Sequence, residues 1–420
     1  MLGACAVLLP SGSSAADSVA PLELTEAVHL ALTRNERAKI SDLQVVASEA
    51  AVERARTAFL PVVTLVGQDA QHPSVDHPAN VGSTSFTVNQ PLLNASAFPL
   101  YSQAKALAQA QQAQNVDDKR LLAFSAASAF FSVLNAEAIL QASQRQLDMA
   151  TSNLADTQAR VQAQLNSSND ATRAHVDLAS SARQVELGKG NLDAAYVQLA
   201  FTINAQVGAL VAPEPTLHAA DQPVAPVDTL VRLALERRPD VLVAKHAAIG
   251  AHDFADEPLL RIVPTLGLQG QATGTTNTPA ATGRWNDETV TATLSWTLYD
   301  AGVRYADKHS RDAQASISDW NLKALVRTVD AQVRSAVALL LSAQAAFHVA
   351  EQAMLAARQS VEETAILYRQ GLARAIELVD ATDQRFTAEV NYVSAEYGMA
   401  QAYLNVRQSL GLDPLGTELK

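Results

Sequence analysis

From Leu322 to Tyr368 the chain carries one unbroken ladder. Leu322, Val326, Val329, Val333, Ala336, Leu340, Ala343, Phe347, Ala350, Met354, Ala357, Val361, Thr364 and Tyr368 follow at alternating spacings of four and three, and all but Thr364 are apolar or aromatic. A 3.5-residue period keeps one stripe of a helix against a partner along its whole length. Large and small residues alternate through the middle, which suits knobs entering holes. The same ladder occurs earlier, displaced by 207 residues (336 − 129): Leu122, Ala126, Ala129, Val133, Ala136, Leu140, Ser143, Leu147, Ala150, Leu154, Thr157, Val161. The chain is a tandem duplication built on very long coiled-coil helices.

The expected organisation is a signal-like segment over 1–20, a first repeat over 21–215, a second over 216–414 and a tail over 415–420. Met1–Leu9 is apolar and Ser11–Ala20 small and polar, with Ala-rich cleavage options near Ala15 or Ala16. The lack of a basic n-region fits a start that has lost upstream residues. Leu2-Gly3-Ala4-Cys5 also reads as a lipobox in which Cys5 carries a lipid anchor. Export from the cytoplasm is expected either way.

Net charge is −12, from 31 basic and 43 acidic side chains, with no basic run. Nucleic-acid binding, which needs clustered Lys and Arg over phosphates, is therefore not expected. One cysteine gives no disulfide framework and no Cys-based zinc site. No eighteen consecutive residues are apolar, so no transmembrane helix is expected.

Each repeat opens on an amphipathic helix. Leu22–Val28 starts the first, with Thr25 available as cap, and the helical run continues to Phe59 before Pro61 stops it. Leu30 and Pro61 recur as Leu233 and Pro264, both at an offset of 203 (233 − 30; 264 − 61). Pro258 falls inside the second copy of this helix and predicts a kink or break. After each proline the period becomes two. First strands begin at Val63 and Thr265, polar loops follow over 69–83 and 273–288, and second strands run over 84–91 and 289–299. In the last, Val290, Ala292, Leu294, Trp296 and Leu298 alternate with Thr291, Thr293, Ser295 and Thr297. This suits a membrane β-strand with an apolar outer face, and equally a soluble hairpin with one wet face. Four such strands cannot close a barrel, and hydrocarbon forbids open sheet edges. Three chains supply twelve strands. A helix over about 97–164 is on the order of 100 Å long, wider than any compact domain, so the expectation is a barrel above a helical tube.

These features resemble the TolC family of bacterial outer-membrane efflux proteins over about 22–414. The motifs are Leu24-Thr25-Glu26-Ala27 with Leu30-Ala31-Leu32 and Asn35, then Phe59-Leu60-Pro61, Asn89-Gln90-Pro91-Leu92, Tyr368-Arg369-Gln370-Gly371-Leu372, Leu378-Val379-Asp380-Ala381 and Leu410-Gly411-Leu412-Asp413-Pro414. Two departures are Asn94–Pro99, where relatives carry a Gly-rich turn, and Gly188-Lys189-Gly190, which weakens the returning helix by about 1 kcal/mol per glycine. The resemblance implies a mainly α fold with β: a homotrimer whose duplicated coiled-coil helices form a periplasmic tunnel and whose strands form one twelve-stranded outer-membrane barrel in lipid. It implies a passive exit duct for tripartite efflux or type I secretion, docking onto a periplasmic adaptor and an inner-membrane pump, with no cofactor and no catalysis. A periplasmic coiled-coil adaptor without a barrel is the rival, since heptads alone would serve it.

By match to the family, Tyr368 stands at its gating tyrosine and Asp170 at an aspartate tying neighbouring helices, with Arg374 near the basic partner position. The alternative for Asp170 is a helix cap that pairs with Arg173. Glu377 and Asp380 match the acidic tunnel entrance, where threefold symmetry makes rings that select cations. Otherwise they are solvated carboxylates at a helix start. His72-Pro73-Ser74-Val75-Asp76-His77-Pro78 is a weak metal motif in an exposed loop, and no metal site is expected.

Overall fold

A computed structural model describes residues 21–72, 79–276 and 286–416. In chain order the elements are α1 (Leu24–Arg34), α2 (Glu36–Arg56), β1 (Val62–His72), β2 (Ala79–Leu93), α3 (Ala97–Gln162), α4 (Ser168–Ile203), α5 (Glu214–Ala220), α6 (Val227–Arg237), α7 (Pro239–Leu260), β3 (Thr265–Thr275), β4 (Asn286–Ser295), α8 (Val303–Arg369) and α9 (Ala375–Ser409). Cys5 and the loop motif His72–Pro78 depend on parts of the chain outside this description, apart from the backbone of His72.

Every residue of both ladders is buried or half-buried in α3 or α8. These helices have 66 and 67 residues, about 100 Å each at 1.5 Å per residue. α3 packs on α4 and α8 on α9, with α7 and α9 also against α3. Both long helices contain a stretch apolar enough to cross a membrane by length and composition, which the count of consecutive apolar residues did not anticipate. Their alanine-rich seams account for that composition.

Two cores lie where the short helices clasp the long ones. One gathers Val28, Phe130, Phe131, Leu199 and Leu404; the other gathers Val241, Val329, Val333, Met399 and Val406. The duplication extends to helix ends. Asn35 breaks α1 from α2, accepts from Arg37 N and donates to Thr202 O at 2.8 Å. Arg238, its equivalent between α6 and α7, donates to Ser409 O at 3.3 Å. Asn204 and Gly411 then turn left-handed at φ 48° and 74°, the usual exit from a helix. A Cβ at Gly411 would stand 3.0 Å from Arg238 Cα, so glycine is required there.

The four strands form one antiparallel sheet in the order β1-β2-β3-β4. Its register sorts the two faces. Val63 and Leu65 pair with Val88 and Phe86, Val88 with Gly270, and Leu268 and Leu266 with Ala292 and Leu294. The opposite face carries Thr64 with Thr87, Thr87 with Gln271, Asn89 with Gln269, and Gln269 with Thr291. One side is thus mainly apolar, with Gln90 and Glu288 toward its ends, and the other mainly polar, with Val62 and Val66 among its members, the division a membrane barrel makes between lipid and lumen. Ten to eleven residues at about 3.3 Å each, tilted near 45°, span an apolar band of about 25 Å. β1 and β4 are open edges, which the barrel must close with further copies.

The structure departs from expectation at five places. Thr25 lies inside α1 rather than capping it, and Glu23 is the cap position. The expected loops are shorter, since β1 runs to His72, β2 starts at Ala79, β3 runs to Thr275 and β4 starts at Asn286; turn-forming residues there still satisfy a ladder. β4 ends at Ser295, because Thr265 is the last partner before Pro264, which has no N–H to donate. Trp296 instead donates from Nε1 to Ile262 O at 3.0 Å. Helix α7 continues to Leu260 through Pro258. The carbonyl of Phe254, which Pro258 cannot serve, accepts from Arg311 Nη1 at 3.1 Å, and the same guanidinium lies 3.7 Å from the Phe254 ring centroid. Finally, α4 runs unbroken through Gly188. A Cβ there would meet Leu140 Cδ1 at 3.1 Å, so this glycine lets two long helices approach.

Candidate functional site at the helical tip

At the end of α3 the chain reverses through Gln164, at φ 59°, and at the end of α8 through Gly371, at φ 78°. These positions are again 207 apart (371 − 164). Each is followed by a leucine pushed into solvent, Leu165 and Leu372, both 73% exposed. The two turns meet. Tyr368 is 5% exposed, its hydroxyl accepts from Asn166 Nδ2 at 3.4 Å, and the Arg160 guanidinium lies 4.3 Å from its ring centroid. The tyrosine of the second turn is therefore held by two residues of the first.

Asp170 is occupied locally. Ser167 caps α4 by accepting from Asn169 N, and Asp170 Oδ2 accepts from Ser167 N at 3.1 Å, closing a capping box. No pairing with Arg173 or Arg374 occurs among the described residues of one chain. Arg374 is exposed at the N-cap of α9. Glu377 and Asp380 are both exposed, one turn apart on α9.

A further acidic layer lies above them that sequence reasoning missed. Asp177 on α4 is 9% exposed; burial, and then the neighbouring Asp383, push its carboxyl up to about 6. Burial and Asp380 raise Asp383 in turn. Gln146 of α3 donates from Nε2 to Asp383 Oδ1 at 3.0 Å, while Gln146 Oε1 and Asp177 Oδ2 are buried without donors. The signal was present: Asp177 interrupts a buried series of Ala174, Ser181, Val185 and Gly188.

The sign of the pH effect follows. Because the folded carboxyl binds its proton more tightly than the unfolded one, stability falls as pH rises from about 4 through 6, and the full penalty acts above 6. Asp177→Asn removes it. The expected gain is on the order of 1–3 kcal/mol at pH 7.5 and close to nothing at pH 4, read as a pH-dependent shift in thermal midpoint. Equal shifts at both pH values would contradict the cause given.

The tip offers a tyrosine held between two turns, exposed carboxylates and exposed apolar ends. Residues 230–412 match the family described as outer membrane efflux protein. Outer membrane protein TolC of Escherichia coli is 23% identical over 379 residues, covering 86% of this chain and 76% of that one. TolC of Vibrio cholerae is also 23% identical, covering 86% and 84%. The second repeat thus matches the outer membrane efflux protein family, and the chain as a whole is similar to TolC. The solved fold of CusC matches with a TM-score of 0.83 at 15% identity, covering 93% of this chain and 92% of that one. The Campylobacter jejuni CmeC outer membrane channel matches with 0.80 at 14% identity, covering 92% and 85%.

TolC-family proteins are trimeric channels rather than enzymes. The localisation that follows is the bacterial outer membrane, with a long periplasmic portion, and the fold is that of channels combining a helical barrel with a β-barrel. The protein is an outer-membrane efflux duct. The barrel face described above is what the adaptor alternative lacks.

Proposed function

We propose that the helical tip is the gate of this duct, and that the duct is the passive exit of a tripartite efflux or type I secretion system. The observation that carries the reading is the capture of Tyr368 by Arg160 and Asn166, which ties the turn of one repeat to that of the other. Opening then means parting α8 and α9 from α3 and α4. Threefold repetition turns Glu377 and Asp380 into acidic rings that attract cations at the entrance. Asp170 holds the start of α4 within its own chain, and an ion pair with Arg374 would form between neighbouring chains. The exposed Leu165 and Leu372 give a periplasmic adaptor, coupled to an inner-membrane pump, apolar contacts to seize while opening the gate. The domain division at 215/216 is read in the same way: each repeat supplies one arm of the gate.

Tyr368→Ala removes both contacts to the first turn. Single-channel conductance in planar bilayers should rise several-fold, with Asp170→Ala giving a smaller rise through loss of about 1 kcal/mol at the helix start. Wild-type conductance in properly assembled Tyr368→Ala trimers would sink the gating role.

A further inference from the structure

Higher on α9, two charged residues one turn apart occupy the path of the coiled-coil seam. Arg385 and Glu389 follow the buried Leu378, Ala381 and Thr382 and precede the buried Val393. Glu389 is 6% exposed. Its Oε1 takes Arg145 Nη2 of α3 at 2.7 Å, and Arg358 Nη2 of α8 stands 3.9 Å from the same oxygen. Arg385 is near enough to interact electrostatically with all three, yet its Nε and Nη2 are buried and meet no acceptor.

Three guanidinium groups around one carboxylate leave two uncompensated positive charges. Arginine does not relieve that by losing its proton, and buried donors without acceptors carry their desolvation cost unopposed. The missing partner is thus negative, and it has at least two acceptor atoms to meet the Nε/Nη2 edge, the edge that grips an oxyanion in bidentate fashion. Access exists, since the side chains of Arg145 and Arg358 are 49% and 53% exposed.

We propose that Arg145, Arg358 and Arg385 form an oxyanion-binding site at the junction of α3, α8 and α9. A free phosphate- or sulfate-class anion supplies the acceptors, or a carboxylate of the adjoining copy does so in the trimer; the chemistry is shared. Occupancy cements three helices of two repeats at one level of the tunnel. The inference is independent of the gate at the tip.

The test uses the purified trimer in detergent, with millimolar sodium sulfate exchanged for chloride at fixed ionic strength so that screening is constant. Sulfate should raise the temperature of trimer dissociation in a saturable way. Arg385→Gln should weaken the apparent sulfate affinity about tenfold or more, as expected for loss of a charge-assisted bidentate pair. Glu389→Gln, which leaves a further uncompensated charge, should tighten it and gain more from sulfate than the wild type does. If the wild type ignores sulfate while Arg385→Gln lowers the dissociation temperature, the acceptor is the neighbouring chain's carboxylate. The proposal is overturned if sulfate acts equally on wild type and Arg385→Gln, or if neither sulfate nor Arg385→Gln changes dissociation.

Discussion

Val290→Arg should abolish recovery of the trimer from outer membranes. Val290 lies mid-strand on β4, opposite Gly270, on the apolar face, and is 78% exposed in the single chain. Arginine at the bilayer midplane costs about 2–4 kcal/mol, and threefold repetition imposes that cost in every subunit. Leu294→Arg, on the same face but next to the last ladder pair, should be milder because the penalty fades toward the interface. Thr291→Arg supplies the control, since Thr291 pairs with Gln269 on the polar face. The readout is a heat-sensitive trimer band in the outer-membrane fraction. Normal assembly of Val290→Arg, or equal failure of Thr291→Arg, would contradict the assignment of faces.

The second large effect lies at the buried ion pair between Asp117 and Arg120 on α3. Their side chains are 10% and 5% exposed, with Arg120 Nη2 2.7 Å from Asp117 Oδ1. Arg120 Nη1 also donates to Gln408 O at 2.7 Å, tying α3 to the last turn of α9. Arg120→Met leaves a buried carboxylate without its counter-charge and should cost about 3–5 kcal/mol, seen as a lower denaturation midpoint. Replacing both partners, with Asp117→Leu added, should recover much of that loss, because apolar pairs of similar volume often match a buried ion pair. If the single variant is as stable as wild type, the pair does not hold these helices. The pair is not repeated at the equivalent positions of the second repeat, where Ala324 and the exposed Arg327 stand 207 residues after Asp117 and Arg120.

Much of the architecture was legible in consecutive residues. The ladders in α3 and α8 were readable because a helical seam is a local period, and β4 showed its two faces because a strand alternates every residue. The matched offsets also placed Pro61 with Pro264 and both tip turns. Strand ends were less legible, since Asp69–His72 and Thr273–Thr275 join the sheet through partners on other strands. Pro258 does not break its helix, whose freed carbonyl is served from outside: Arg311, 57 residues from Phe254, takes it.

At the tip, position was evident and pairing was not. The turns and Tyr368 could be located from the sequence, but Asp170 closes a capping box with Ser167, and Asn166 and Arg160 hold Tyr368. The layer of Asp177 and Asp383 brings together residues 206 apart (383 − 177), on helices whose relative register no local period encodes. Arg385 reads as one more charged residue until its guanidinium is seen buried beside Arg145 and Arg358. Contiguous residues determined the long helices, the duplication and the sheet's two faces, because each is a periodicity of the chain itself. Only the tertiary structure decided which charges share a buried site, because burial and partnership depend on how separate helices are set against one another.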